Sequence, residues 1–234
     1  MRSYKQRCGL AKTLEVVGDR WTLLIIRELL IRGSCRYTDV RRGLPGIATN
    51  LLAERFRELE DAGIVIREEA PPPIATTLFR LTERGRELEE ALLQLGRWGA
   101  PLLAHRAKGE TLQPHWLILP LKLVLVDGRP EDPDINIELR AGGELIAITA
   151  SNGAIDIRLG TAQGTAAAVV TGKPETILQL FTGRIDLPAA LAAGVRWEGA
   201  PEILRRVVPT ASVNHAVSGG PSPGGAGEGQ ARDR

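Results

Sequence analysis

The sequence predicts an α+β protein in two folded parts. The first is mainly α with a two-stranded hairpin; the second is an α+β domain with an antiparallel sheet covered by short helices. Three observations lead there. Apolar residues recur at helical spacing from Leu10 to about Leu95. Period-two alternation takes over in INIEL, ELIAIT and AIDIRL, from Ile135 onward. And 234 residues make one large or two small domains, since a domain takes roughly 100–200 residues. The divisions fall at 1–108, a linker at 109–115, a second domain at 116–210 and a tail at 211–234. The tail, with SGGPSPGGAGEGQ, is low-complexity and expected to be disordered.

In the first part, Leu14 and Val17 follow Leu10 on one helix face. WTLLIIRELLI (21–31) is a second apolar helix, stopped at Gly33. Tyr37, Val40 and Leu44 mark a short helix closed by the turn Leu44-Pro45-Gly46. Leu52, Phe56 and Leu59 then repeat at i, i+4, i+7 in a longer helix, Ala48–Ala62, which Gly63 ends. IVIREEA (64–70) and TTLFRLT (76–82) read as strands around the proline-stiffened loop APPPIA. Thr82 is the expected N-cap of a last helix. Its residues Leu88, Leu92, Leu95, Gly99 and Leu102 make a stripe suited to a helix–helix seam, with a kink or break due at Pro101.

In the second part, Gly142-Gly143 and Asn152-Gly153 separate the alternating strands as turns, so an antiparallel meander is expected. AAAVVTG (166–172) is a further strand. PETILQLFTG (174–183), LPAALAAG (187–194) and PEILRRVV (201–208) read as short helices, with VRWEG a strand between the last two.

Composition excludes several classes. With 43% hydrophobic residues and a net charge of +2, disorder of the whole chain is ruled out. The longest apolar run, His115–Val126, is shorter than the roughly 20 residues of a membrane span and carries Lys122. The start offers no apolar signal-peptide core. Cys8 and Cys35 cannot form a disulfide framework, which points to a cytoplasmic protein. His105, His115 and His215 are too few and scattered for a structural zinc site, and no metal or cofactor is expected. Nor is enzymatic activity, because no nucleophile–base pair or paired catalytic carboxylates stand out. GTAQG (160–164) opens a strand rather than a helix, which discounts a nucleotide loop.

Charge is uneven. Residues 1–108 carry 19 Lys and Arg against 14 Asp and Glu, and Arg20–Arg57 alone holds eight arginines against three acids. A solvated, salt-bridged surface would account for that by itself. The order of elements adds to it. Three short helices, a proline–glycine turn, a longer helix and a hairpin are the order of a winged helix–turn–helix, which presents the amino end of the longer helix to base edges. Thr49, Asn50, Ala53, Glu54 and Arg57 would face outward, and Asn and Arg suit bidentate readout of adenine and guanine. Arg36, Thr38, Arg41 and Arg42 would meet phosphates around the preceding helix; Arg67 and Arg80 sit on the wing strands.

Cys8, GDRWTLLIIREL (18–29), RYTDVRRGLPGI (36–47), LLAERFRELEDAGIV (51–65) and FRLTERGREL (79–88) together resemble the HxlR-type transcriptional regulators of bacteria and archaea. The resemblance spans roughly the first hundred residues. It implies a repressor or activator acting as a homodimer through its first and last helices on a pseudo-palindromic duplex DNA operator. The wing loop departs from the family in lacking a basic tip, which weighs against minor-groove insertion. For Cys8 the resemblance implies either a redox- or electrophile-sensing thiolate or a buried apolar residue; with no vicinal resolving cysteine, the inert reading is favoured. Cys35 beside Arg36 is equally ambiguous.

AVVTGKPETILQLFTGRIDLPAALAAGVRWEG (168–199) resembles the sterol carrier protein type-two-like domain, a resemblance of about residues 120–210. It implies a small hydrophobic effector held by Ile177, Leu180, Phe181, Leu187 and Leu191. The same side chains would equally form a filled core, since pockets and cores use the same residue types. A lipid or hydrophobic-ligand carrier, whose first half serves protein contacts only, is the alternative to a regulator.

Overall fold

The helical spacing of the first hundred residues becomes a set of short helices in the computed structural model, which describes residues 3–210 except 72, 74 and 105–108. The expected disordered tail lies outside the described residues, as does part of the wing loop. Helices α1 (Gly9–Val17), α2 (Thr22–Arg32), α3 (Tyr37–Arg42) and α4 (Thr49–Asp61) precede strands β2 (Val65–Glu69) and β3 (Thr77–Leu81). A two-residue strand, β1 (Cys35–Arg36), pairs antiparallel with β3, so the wing is the outer part of a three-stranded sheet in the order β1-β3-β2. Ile25, Ile26, Leu29, Val40, Leu44, Leu52, Phe56, Leu59 and Leu81 form the core beneath it.

Thr82 caps the next helical segment as its sequence predicts, its hydroxyl accepting the Gly85 amide at 3.0 Å. α5 (Glu83–Arg86) leads into α6 (Leu88–Gly99), which gives way to a 3₁₀ turn at Ala100–Ala104. Pro101 explains the stop, because its ring has no amide to continue the helix.

The apolar run after the linker takes three forms: a 3₁₀ turn at Pro114–Leu117, α7 (Ile118–Val124) and β4 (Leu125–Asp127). Strands β5 (Ile135–Ala141), β6 (Glu144–Ser151) and β7 (Ala154–Leu159) form the expected meander. β8 (Ala168–Gly172), α8 (Pro174–Phe181), α9 (Leu187–Ala192) and β9 (Arg196–Gly199) follow. The sheet order is β7-β6-β5-β8-β9, and β8 runs parallel to β5. The expected antiparallel sheet is therefore a mixed one. Residues 160–167 carry the chain back from the edge strand β7 to the free edge of β5, where β8 enters in the same direction.

A second correction concerns Pro201–Val208. Only Pro201–Arg205 is helical, as a 3₁₀ turn, and β10 (Val207–Pro209) pairs antiparallel with β4. Two β-branched residues before a proline favour extended backbone. Between them and the turn, buried Arg206 sets its Nε 2.9 Å from Asp127 Oδ1 and ties the two strands together.

The two parts are joined by more than the linker. Ile31 of α2 belongs to the core of the second part, alongside Leu117, Leu121, Ile148 and Ile157. Lys122 of α7 donates to Glu89 of α6 at 2.7 Å. Within the linker, the Gln113 amide donates to the Arg42 carbonyl at 3.1 Å. No helix among the described residues is long and apolar enough to cross a membrane.

Candidate nucleic-acid interface

α4 is positioned by its buried stripe. Leu52, Phe56 and Leu59 are sealed in the core, and Phe56 packs against Phe79 of β3 with ring centroids 4.3 Å apart. Burying such side chains contributes about 1.5–3 kcal/mol each, which fixes the roll of the helix. Thr49, Asn50, Glu54 and Arg57 consequently face solvent, with Ala53 half-buried. The amino end is held from the other helix: Tyr37 of α3 donates its hydroxyl proton to the Thr49 carbonyl at 2.7 Å. Between α3 and α4, Gly46 has φ +90°, a left-handed conformation that glycine adopts without strain.

Arg36, Tyr37, Thr38, Arg67, Thr76, Thr77 and Phe79 line a groove of about 520 Å³ between the start of α3 and the wing. A phosphate backbone crossing there would meet Arg36, Thr38 and Arg67 together. Arg41 is exposed and makes no ion pair among the described residues, whereas Arg42 lies 3.5 Å from Asp39. Arg80 is turned to Glu68, its Nε donating at 2.8 Å, and Arg67 lies 3.6 Å from Glu60. These last three cations are partly neutralised, whereas Arg36, Arg41 and Arg57 are exposed and make no ion pair among the described residues. Arg57 donates its Nε–H to the Ala53 carbonyl at 3.3 Å and must leave that bond to reach a base.

Sequence reasoning missed Tyr37 as a brace and Arg55 as an anchor. Arg55 pairs with Asp19 and Glu58 and ties α4 to the α1–α2 turn. It also missed a buried polar cluster behind the helix–turn–helix. Glu28 of α2 is 0% exposed and His115 1%. Glu28 Oε1 accepts from Arg27 Nη2 at 2.9 Å and from the Trp116 indole at 2.7 Å; Oε2 accepts from His115 Nε2 at 2.8 Å. The Arg27 guanidinium lies over the Trp116 ring, 4.2 Å from its centroid. Burial pushes the Glu28 carboxyl up, but the His115 hydrogen bond, the charges of His115 and Arg27 and the Trp116 donation outweigh it. Its pKa therefore stands below the ordinary glutamate value. A glutamate inside the apolar run TLLIIRELLI was the available signal, since buried carboxylates need partners.

The expected dimer stripe divides. Leu88 and Leu92 pack against their own chain's core and Gly99 is half-buried, while Leu95 and Leu102 are exposed. Trp98 and Leu103, which the stripe did not include, are each 76% exposed, and α1 exposes Leu10 and Leu14. Cys8 is exposed. Cys35 is buried, and that burial pushes its thiol up to about 12.

The five side chains that suit a pocket or a filled core alike do not share one environment. Ile177, Leu180 and Phe181 are buried core residues, Leu187 packs against that core, and Leu191 is largely exposed. α8 lies against β8, and its Ile177, Leu180 and Phe181 join the core beneath the sheet. An open cleft of about 500 Å³ in this domain is lined by other residues, among them Arg140, Lys173 and Arg196. Among the described residues no group of three or more His, Cys, Asp or Glu is placed to hold a metal ion.

Residues 16–107 match the family model described as HxlR-like helix-turn-helix. The regulatory protein named MalR of Fusobacterium mortiferum is 34% identical over 98 residues, covering 42% of this chain and 92% of MalR. The HTH-type transcriptional regulator named YybR of Bacillus subtilis is 38% identical over 98 residues, covering 41% of this chain and 75% of YybR. The reduced form of the transcriptional regulator YodB from B. subtilis is 30% identical, with 40% of this chain and 92% of that one covered and a TM-score of 0.37. Because relatives more than 30% identical are covered over three quarters or more of their own length, the chain belongs, through its first part, to the HxlR-like helix-turn-helix family.

Proposed function

We propose that the protein is a sequence-specific DNA-binding transcriptional regulator that acts as a homodimer in the cytoplasm, with its second domain as the regulatory half. The observation that carries this reading is the exposed amino end of α4. Thr49 and Asn50 stand clear of the monomer, Arg57 lies two turns on, and Arg36, Thr38 and Arg41 flank them where phosphates would pass. Trp98, Leu102 and Leu103, with Leu10 and Leu14 of α1, leave large apolar side chains in water. A second copy covering them would place two reading helices on the half-sites of a pseudo-palindromic operator. Regulators named as such among the relatives support the DNA-binding reading.

For the second domain, the succession β8, α8, the Gly183-Arg184 turn, α9 and β9 supports the resemblance to a sterol carrier protein type-two-like scaffold. The Glu28 cluster gives it a route to the reading head. An effector acts through such a route only if it binds the DNA-competent and incompetent arrangements with different affinity.

The test is footprinting on the DNA upstream of the protein's own gene, followed by gel-shift titration of two variants on the protected site and on a scrambled duplex. Arg57→Ala is expected to cost about 1–3 kcal/mol on the operator and to relax the preference at one base pair. Arg41→Ala is expected to weaken both duplexes alike and to lower the salt slope by about one. Identical behaviour of the two variants overturns these roles, and no protected site at all overturns the function.

A further inference from the structure

The second domain is acidic. Residues 109–210 carry nine Lys and Arg against twelve Asp and Glu. Yet three of those nine, Arg140, Lys173 and Arg196, line one cleft of about 500 Å³ together with the Gly142-Gly143 hairpin, Thr171 and Gly172.

Strand register explains the convergence. Arg140 of β5 is opposite Thr171 of β8, and Thr171 is opposite Arg196 of β9. Residues directly opposite across paired strands project from the same face. That face is the one away from the core, since Leu139, Ala141, Val170 and Val195 beside them are buried. Neighbouring strands lie roughly 4.8 Å apart, so two arginine stems stand about 10 Å apart with a hydroxyl between them. Lys173, two residues beyond Thr171 in extended backbone, returns to the same side. Arg140 shares its charge with Glu138, Nε to Oε1 at 2.8 Å, but Lys173 and Arg196 pair with no carboxylate among the described residues. Two like charges without partners beside a third are held close by the sheet alone.

We propose that this cleft is a binding site for a small organic anion bearing a phosphate or carboxylate group. The arginine forks supply paired N–H donors for such oxygens, Thr171 a hydroxyl, and Lys173 a point charge. The volume is in the range of small-molecule sites, roughly 300–1,000 Å³. Glu144 lines the cleft, and Glu138 and Glu198 stand two residues from Arg140 and Arg196 on the same strands; these carboxylates oppose a long polyanion such as duplex DNA. The site also touches the joint between domains. Pro114 lies against Gly142, where an added Cβ would come 2.6 Å from its Cγ, and His115, the next residue, binds Glu28. Binding is independent of the DNA reading; only its consequence for transcription rests on that reading.

The full-length chain is titrated with inorganic phosphate and with citrate by calorimetry, in the absence of DNA, against sodium chloride at matched ionic strength. Saturable binding of either anion is expected, and which one binds separates a phosphate ligand from a carboxylate ligand. Lys173→Ala/Arg196→Ala is expected to weaken it by roughly tenfold or more, while Arg158→Ala, on β7, leaves it unchanged. Should the double variant fold poorly, Lys173→Gln alone is expected to weaken binding several-fold. A response that sodium chloride reproduces, no saturable response to either anion, or equal binding by the wild type and the cleft variants overturns the proposal.

Discussion

Glu28 and the two cysteines show how far burial alone sets a residue's chemistry. Cys35 sits on β1 under the wing sheet, and its burial outweighs the nearby Arg32 charge, so the thiol is pushed to about 12. At neutral pH it carries almost no thiolate. Cys8 is exposed at the start of α1. Iodoacetamide at about pH 8 should therefore modify Cys8 in the native protein and Cys35 only after unfolding, read by mass spectrometry of the two peptides. Native labelling of Cys35 at the rate of Cys8 would contradict the burial argument. At this scale the sequence was legible where a residue acts on its neighbours along the helix, as Thr82 does. It was silent where partners lie far apart in the chain: nothing in HWLILP announces that His115 and Trp116 meet a carboxylate 87 and 88 residues earlier.

Among elements, α4 was the most legible, because a buried stripe at i, i+4, i+7 determines both its existence and its orientation. β1 is two residues long and defined only by its partner β3, so no local pattern could reveal it. β8 was found as a strand but not as the parallel neighbour of β5, since pairing direction is a property of the crossover and not of AVVTG itself. α6 carries the prediction at this scale. Its first half packs on its own core and its end exposes Leu95, Trp98 and the following Leu102. Trp98→Glu/Leu102→Glu should convert a dimer to a monomer in sedimentation velocity without shifting the far-ultraviolet circular dichroism. It should also reduce operator affinity to that of one half-site. An unchanged sedimentation coefficient would remove this surface from the dimer account.

Across the whole molecule, the change of hydrophobic period suggests a division near residue 108, but no pattern in the sequence announces the contacts that join the two sides. α2 contributes Leu29 to one core and Ile31 to the other, with Glu28 beside them. We expect the two parts to unfold together in urea as one transition. Glu28→Gln leaves Arg27, His115 and Arg32, whose Nε lies 3.4 Å from Glu28 Oε2, facing a neutral amide, at a cost of about 3–5 kcal/mol, and should separate that transition into two. Glu28 has a depressed folded pKa, so the stability it contributes is present above the unfolded value and is lost as pH falls through the folded one. The wild type should accordingly lose its single transition on going from about pH 6 to below about pH 4, while Glu28→Gln shows little further change there. A variant as stable and as cooperative as the wild type would show that the cluster contributes nothing to coupling.

Because α2 is a structural wall of both lobes, a swivel between them would have to break apolar contacts of that helix. A tilt or slide of that common rod would be felt next door, where α3 ends at Gly43 against the Glu28 side chain. By the same token, residues 1–108 on their own would not keep the packing they have in the whole chain. Excision would strip the lid from Ile31 and leave a sealed carboxylate facing water with two of its donors gone.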